Sequence, residues 1–170
     1  ETALIENTYD NSDINEMIKV LKSGQLTMSQ KVFDFEKEFA KYIGSEYAVM
    51  VNSGSSANLL AISVAVNHMR KNKLNKGDKI IVPNVCWSTT VWPLIQLGLS
   101  PVFVDIDPQT MNIDIEELNK SITPDIRGIM LVHIMGNCTN MIEIMSICEK
   151  NKLVLFIFFA NTHNFNHICT

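Results

Sequence analysis

The feature of this chain that most constrains its fold is a regular alternation of strand-like and helix-like segments. Short runs rich in β-branched residues alternate with longer runs in which apolar residues recur at helical spacing. The predicted strands are Tyr47–Val51, Lys79–Val82, Pro101–Val104, Ile129–His133 and Leu153–Phe158. The predicted helices between them are Ser56–Arg70, Thr89–Leu97, Ile115–Lys120 and Thr139–Lys150. This order predicts an α/β protein with three layers (α/β/α) and a mainly parallel sheet.

The residues before this alternation predict two amphipathic helices. In the first, the apolar residues at i, i+3, i+4 and i+7 are Ile14, Met17, Ile18 and Leu21. Ser12 and Asp13 stand before them as a predicted cap, and Gly24 follows as a stop. The second helical pattern runs from Ser29 to Gly44, with lysines and glutamates on its polar face.

The predicted helix after residue 55 is apolar on nearly every side over residues 59–66. A helix tolerates such a surface only when other elements pack all round it. We therefore expect this helix to lie at the centre of the fold.

Charge and composition exclude several classes of protein. The 14 basic and 18 acidic residues give a net charge of −4, which disfavours a general nucleic-acid binder or a protein attracted to anionic membranes. Hydrophobic residues make up 46% of the chain and charged residues 19%, as in folded proteins rather than disordered ones. The longest apolar run, Leu153–Ala160, is far shorter than the roughly 20 residues that span a bilayer. We expect a cytoplasmic protein with no membrane or nucleic-acid partner.

The loop Asn52–Asn58 follows a predicted strand and leads into the apolar helix. In open α/β sheets, ligands bind beyond the carboxyl ends of the strands. Gly54 permits a tight turn there. The next three residues, Ser55, Ser56 and Ala57, are small enough for a ligand to reach the N–H groups at the helix start. Those groups and the helix dipole favour an anion, so the loop predicts a phosphate site; the alternative is an ordinary Ser/Gly helix cap.

Trp87 lies in the loop after the next predicted strand. At that strand end its large ring could cover the flat face of another ring lying beside the phosphate. The alternative is a tryptophan that simply packs in the core.

Two further groups of residues allow a functional interpretation and a structural one. Asp105 and Asp107 are either catalytic carboxylates or, as is more common before a residue such as Pro108, turn formers. The basic stretch 70–76 is either an anion contact or a solvated surface loop.

The histidines and cysteines do not predict a metal centre. His163 and His167 have a spacing that suits one helix face, and Cys169 is close to them in sequence. No fourth ligand accompanies these residues, and the four cysteines lack the paired spacing of a zinc ribbon. We therefore predict no metal site.

A series of motifs runs through most of the chain in a fixed order. They read YAVMVNSGSSANLLA from Tyr47, GDKIIVPNVCWSTTVWPLIQLGLSPVFVDIDPQTMNID from Gly77 and IRGIMLVHIMGN from Ile126, preceded by VLKSGQLTMSQKVFDFEKEFAKYIG from Val20. Together they resemble the DegT/DnrJ/EryC1/StrS family of sugar aminotransferases, which depend on pyridoxal 5′-phosphate (PLP) and have the aspartate-aminotransferase fold type I. The resemblance covers about residues 14–155. It is strongest to the branch that includes the CDP-4-keto-6-deoxyglucose 3-dehydratases of lipopolysaccharide biosynthesis.

The resemblance implies roles for the residues that match the family's motifs. Ser55, Ser56 and Ala57 would hold the phosphate of PLP or of pyridoxamine 5′-phosphate (PMP). Trp87 would stack on the pyridine ring. For His133 the resemblance implies no catalytic role, and we expect a buried, hydrogen-bonded side chain.

The resemblance also implies a function. The expected parent enzyme is a homodimeric aminotransferase that moves an amino group from glutamate to a nucleotide-linked keto sugar, in cell-surface polysaccharide or deoxyaminosugar biosynthesis. One alternative is a PMP-dependent nucleotide-sugar 3-dehydratase. Another is a truncated, non-catalytic fragment with no activity of its own.

The sequence departs from the family pattern near its end. The family has a Glu-Asp pair at the end of the last predicted strand, where its Asp keeps the pyridine nitrogen protonated. Ile157 and Phe158 stand at those positions here. The Schiff-base lysine, or the histidine of the dehydratase branch, belongs to a later segment than this chain contains. We therefore expect no catalytic residue in this chain and no activity from it alone.

These observations predict a division of the chain into three parts. Residues 1–45 form a helical segment, residues 46–155 part of the PLP-binding large domain, and residues 156–170 a divergent tail. We expect this chain to lack the C-terminal small domain of the family. The tail begins abruptly, so a reading-frame shift near codon 156 is one hypothesis for it and a genuine divergent end is the other.

Overall fold

The computed structural model of the chain describes residues 9–159. They fall into two compact units, one ending at Val51 and the other beginning at Asn52. His163, His167 and Cys169, and most of the predicted divergent tail, lie outside the described residues. Within residues 9–159, no helix combines the length and the apolar character needed to cross a membrane.

The first unit contains the two predicted helices. Helix α1 spans Asn11–Ser23 and helix α2 spans Gln30–Ile43. Gly24 and Gly44 end them with φ angles of 70° and 72°, a left-handed conformation that glycine adopts without steric cost. Both predicted helices and both glycine stops are therefore confirmed.

The predicted cap of α1 is displaced in the structure. Asp10, rather than Ser12 or Asp13, is the N-cap residue, and its carboxylate accepts the N–H groups of those two residues. The Asp13 carboxylate accepts the Asp10 N–H in return, at 2.9 Å. This reciprocal capping box stabilises a helix that begins before the apolar pattern does.

The prediction of a strand over Tyr47–Val51 is wrong. In the part of the chain that the structure describes, these residues are in no strand. The Met50 N–H donates instead to the Glu36 carboxylate, at 2.8 Å, and the Tyr47 and Val49 side chains are exposed. β-branched composition is only a propensity, and a strand forms only where a second strand pairs with it.

The second unit is a parallel sheet with helices on both faces. In chain order its elements are α3 (Gly54–Val66), β1 (Lys79–Pro83), α4 (Ser88–Gln96), β2 (Ser100–Val104), α5 (Ile115–Ser121), β3 (Ile126–His133), a 3₁₀ turn (Ile134–Gly136), α6 (Met141–Asn151) and β4 (Val154–Phe159). The strand order is β2-β1-β3-β4, and all pairs are parallel. The predicted α/β class and parallel sheet are confirmed, with strand bounds within three residues of those predicted.

Two hydrophobic cores lie on opposite faces of this sheet. One joins Ile81 and Leu131 of the strands to α5 and α6. The other joins Ile80 and Met130 to α3 and α4. Neighbouring residues of a strand point to opposite faces, so the continuous apolar strands supply both cores and produce the three-layer architecture.

Helix α3 is not packed on every side as predicted. Ile62 and Ala65 are buried, but Leu59, Leu60 and Val64 remain 40%, 41% and 48% exposed. A helix that lies on a sheet beside one neighbouring helix buries one stripe, however apolar its other faces are. The helix also ends at Val66, four residues before the predicted Arg70.

The basic stretch 70–76 connects α3 to β1 as turns and coil, and its charged side chains are exposed. Leu74 is buried, and its N–H donates to the Ala65 carbonyl at 2.9 Å. One apolar residue thus anchors the segment while its charges stay in water. This arrangement agrees with the surface-loop interpretation.

Candidate functional site

The structure brings together the two loops that the sequence analysis singled out. Ser55 Oγ, at the start of α3, donates to Thr89 Oγ1, at the start of α4, over 3.0 Å. The buried Asn58 amide donates to the Thr89 carbonyl over 3.3 Å. Both helices start at the carboxyl edge of the sheet, where ligands of such folds bind. Thr89 links the two loops, a role that no motif in the sequence predicts.

The N-terminus of α3 has the geometry of an anion site. Ser53 is its N-cap, and the Ser53 hydroxyl accepts the Ser56 N–H at 3.2 Å. The Ala57 N–H donates to the Ser53 carbonyl at 3.0 Å. Gly54 and Ser55 occupy the first two helical positions, where helix geometry provides no intrahelical acceptor for the N–H group. Their N–H groups and the helix dipole can bind an anion.

The three residues predicted to hold the phosphate differ in what they can offer an anion. Ser55 is exposed and Ser56 half-buried, and both line a shallow groove of about 190 Å³ between α3 and α4. The groove is also lined by Leu59, Thr89, Trp92, Pro93 and Gln96. The Ala57 N–H is already occupied by the Ser53 carbonyl, so Ala57 can contribute its small size but no N–H to an anion.

Trp87 is the N-cap residue of α4, and its side chain is 71% exposed. The core interpretation of this residue is therefore wrong. An exposed indole at the start of α4 is available to cover a planar ligand. Trp92, five residues further along the chain, lines the groove together with Ser55, and no motif in the sequence had marked it.

His133 ends β3 and is almost completely buried, with 1% of its surface exposed. Its Nδ1 accepts the Thr139 N–H at 3.3 Å, so the ring proton is on Nε2, which lies 3.8 Å from Cys138 Sγ. Burial lowers the pKa of His133 because the charged imidazolium is poorly solvated there. The expected buried, hydrogen-bonded role agrees with this geometry.

The buried His133 predicts that stability falls in mild acid. Its folded pKa is lowered, so between the ordinary histidine pKa of about 6.5 and the lower folded pKa only the unfolded chain takes up a proton. The free energy of unfolding should therefore decrease with falling pH in that window, by at most about 1.4 kcal/mol per pH unit. Urea unfolding at a series of pH values measures this slope. His133→Asn should reduce the slope of unfolding free energy against pH, whereas His68→Asn, at an exposed histidine, should leave it unchanged. Equal slopes in the unchanged chain and both variants would contradict the prediction.

The two aspartates after β2 form turns. The Asp105 carboxylate accepts the Ile106 N–H at 2.9 Å. The Asp107 carboxylate accepts the Gln109 N–H at 2.9 Å and the Thr110 hydroxyl at 3.0 Å. These bonds agree with the turn-forming interpretation rather than the catalytic one.

Asn112 joins the loop after β2 to the loop after β3. It is 3% exposed; its amide nitrogen donates to the Asn137 carbonyl at 3.0 Å, and its amide oxygen accepts the Ile134 N–H at 3.1 Å. Between these bonds lies Met135, which has a φ of 51°. Asn112 was not predictable from the sequence, because no local pattern reveals a bond to a residue 25 positions away.

The end of β4 reaches the start of α3. If Gly54 carried a Cβ, that atom would lie 3.1 Å from Cε2 of Phe158. The Phe158 ring therefore lies against the first residue of the candidate phosphate helix. Ile157 projects from the opposite face of the sheet, because side chains alternate along a strand.

Within residues 9–159, no three histidine, cysteine, aspartate or glutamate side chains are grouped so that they could hold a metal ion.

Comparison with known proteins identifies relatives of this chain. The model of the DegT/DnrJ/EryC1/StrS aminotransferase family matches residues 7–164. GDP-4-keto-6-deoxy-D-mannose 3-dehydratase from Yersinia pseudotuberculosis is 44% identical over 152 residues, which are 89% of this chain and 38% of that protein. The lipopolysaccharide biosynthesis protein RfbH from Salmonella typhimurium is 37% identical over 140 residues, 82% of this chain and 32% of RfbH.

A solved structure of E. coli GDP-4-keto-6-deoxy-D-mannose-3-dehydratase with bound hydrated PLP matches with a TM-score of 0.90. Its sequence is 43% identical, and the match covers 98% of this chain and 43% of that one. The chain thus spans about two-fifths of the length of these dehydratases.

Proposed function

Because the chain belongs to the DegT/DnrJ/EryC1/StrS aminotransferase family, we propose that it forms part of a PLP- or PMP-dependent enzyme acting on a nucleotide-linked keto sugar. Its contribution is the phosphate-binding part of the large domain, within residues 46–155. The observation that carries the proposal is the N-terminus of α3 at the carboxyl edge of a parallel sheet, where the Ser55 hydroxyl is hydrogen-bonded to Thr89 at the start of α4.

Different residues of the chain would contact the phosphate and the pyridine ring of the cofactor. The N–H groups of Gly54 and Ser55 take the phosphate, with the Ser55 and Ser56 hydroxyls beside them. The exposed Trp87 covers one face of the pyridine ring and excludes water from it. When bound, the cofactor supplies an electron sink, which the protein side chains lack.

The 3-dehydratase branch is the favoured reaction class. It is supported by 44% identity to one GDP-sugar 3-dehydratase and by the likeness in fold to a second. The substrate in that case is a GDP-linked keto sugar, as in the names of both relatives, whereas the motifs alone leave the nucleotide open. An aminotransferase with glutamate as amino donor is the second candidate, supported by the family as a whole.

The enzyme would act in the cytoplasm as a homodimer, in cell-surface polysaccharide biosynthesis.

The phosphate site is tested by Ser55→Asp. A carboxylate at the second position of α3 is favourable to the helix dipole but repels a phosphate from the same N–H groups. We expect the affinity for PMP to fall at least about tenfold, a change of ~1.4 kcal/mol, in equilibrium dialysis. PMP is the better probe, because its amine cannot condense with surface lysines.

Ser146→Asp is the matched control, because it adds the same charge at an exposed position on α6. It should leave the affinity for PMP unchanged. Pyridoxamine without its phosphate should bind both variants and the unchanged chain equally weakly. If Ser55→Asp binds PMP as tightly as the unchanged chain does, the phosphate site is not at α3 and the proposal fails.

A further inference from the structure

The Phe158 ring occupies the end of β4 beside the phosphate helix, and we propose that this chain holds the phosphate of the cofactor but leaves its pyridine nitrogen without a counter-charge. The inference rests on the proposed function. It concerns a mismatch between two halves of one site: residues that suit the phosphate, and residues that do not suit a protonated pyridine.

The position of Phe158 in the sheet determines where its side chain goes. Phe158 is paired with Val132 of β3 and Ile157 with Leu131. Because side chains alternate along a strand, residues 157 and 158 project from opposite faces of the sheet. The ring of Phe158 is half-buried and lies against Gly54, on the face that carries α3. A side chain at position 158 is therefore placed to act on whatever the start of α3 binds.

The family pattern expects a carboxylate at the end of β4, and this chain has two apolar residues there. The aspartates Asp105 and Asp107 follow β2, at the far edge of the order β2-β1-β3-β4. Three strand spacings of about 4.8 Å separate β2 from β4, or about 14 Å. In addition, both carboxylates already accept hydrogen bonds within their own turn. Neither can substitute for a carboxylate at position 158.

A phenyl ring in place of a carboxylate changes the protonation of a neighbouring base. Apolar surroundings disfavour the charged form, so they lower the pKa of a pyridine nitrogen, whereas a carboxylate would raise it. A neutral pyridine is a weaker electron sink than a pyridinium ion. Position 158 therefore determines whether a cofactor held by the phosphate helix is activated.

Three variants separate charge from shape. Phe158→Asp supplies the carboxylate, Phe158→Asn removes the ring without adding charge, and Ile157→Asp places the same charge on the opposite face. Each is titrated with PMP and, separately, with inorganic phosphate, and the ultraviolet absorbance of the bound pyridine is followed against pH. Urea unfolding of each variant verifies that it is folded under the binding conditions.

We expect Phe158→Asp to bind PMP about tenfold more tightly than the unchanged chain and to keep the bound pyridine protonated to higher pH. Inorganic phosphate has no pyridine and is repelled by the same carboxylate, so its affinity should stay unchanged or fall. The other two variants should not reproduce the gain for PMP. A gain in Phe158→Asn equal to that in Phe158→Asp would overturn the inference, because the ring and not the missing charge would then limit binding. The inference would also be overturned if Phe158→Asp changed neither the affinity for PMP nor the pH at which the bound pyridine loses its proton. The proposed function fails separately, through PMP binding that is insensitive to Ser55→Asp.

Discussion

Gly128→Ala should lower the free energy of unfolding of the chain by about 3 kcal/mol. Gly128 is buried in β3, a strand with a hydrogen-bonded neighbour on each side, and is paired with Val154 of β4. An added Cβ would lie 2.7 Å from the Val154 carbonyl oxygen and 3.1 Å from Cδ1 of Ile80. The oxygen belongs to the backbone, so the strand pair must separate locally to admit the methyl group.

Urea unfolding followed by circular dichroism measures this effect. Gly44→Ala is the matched control, because an added Cβ there meets no atom within 4 Å. Its φ of 72° is unfavourable for alanine, so that variant should lose only about 1 kcal/mol. A Gly128→Ala chain that is as stable as Gly44→Ala would mean that β3 and β4 are not paired as closely as the structure has them.

The sheet and its helices could be predicted from sequence because their signals are local. Each strand of the second unit has an apolar run of its own, and each helix has a cap or stop residue near its ends. Tyr47–Val51 has the same kind of signal and forms no strand in the structure. Pairing depends on residues far away in sequence, and composition does not reveal them.

The all-round packing predicted for α3 failed for a related reason. An apolar residue indicates that burial would be favourable, but whether a second layer covers it depends on the arrangement of other elements. Leu60 and Ile62 are both large aliphatic residues two positions apart, yet one is 41% exposed and the other fully buried. No property of the two side chains distinguishes them before the fold is known.

The candidate site was predictable in part. A loop of small residues between a predicted strand and a helix was enough to predict an anion site at Gly54, Ser55 and Ser56, since helix geometry determines where free N–H groups lie. The roles of Thr89 and Asn112 could not be predicted, because their hydrogen bonds join loops that are far apart in sequence. The contact between Gly54 and Phe158 was also out of reach, because it depends on β4 lying at the edge of the sheet next to β3.

Ile62→Ala should lower the free energy of unfolding by about 3 kcal/mol, through lost burial and the cavity left behind. Ile62 is fully buried in the core that joins α3 and α4 to the sheet. The helix positions the candidate phosphate loop at its N-terminus, so its packing on the sheet also holds that loop in place. Urea unfolding again provides the measurement.

Leu60→Ala is the matched control, since it removes a side chain of the same size from the same helix. Leu60 is 41% exposed, so the loss should be under about 1 kcal/mol, and alanine's higher helix propensity offsets part of it. A large difference between the two variants would show that α3 is held by one face only. Equal losses would mean that the other face is covered as well, which is the all-round packing that the apolar run 59–66 predicts.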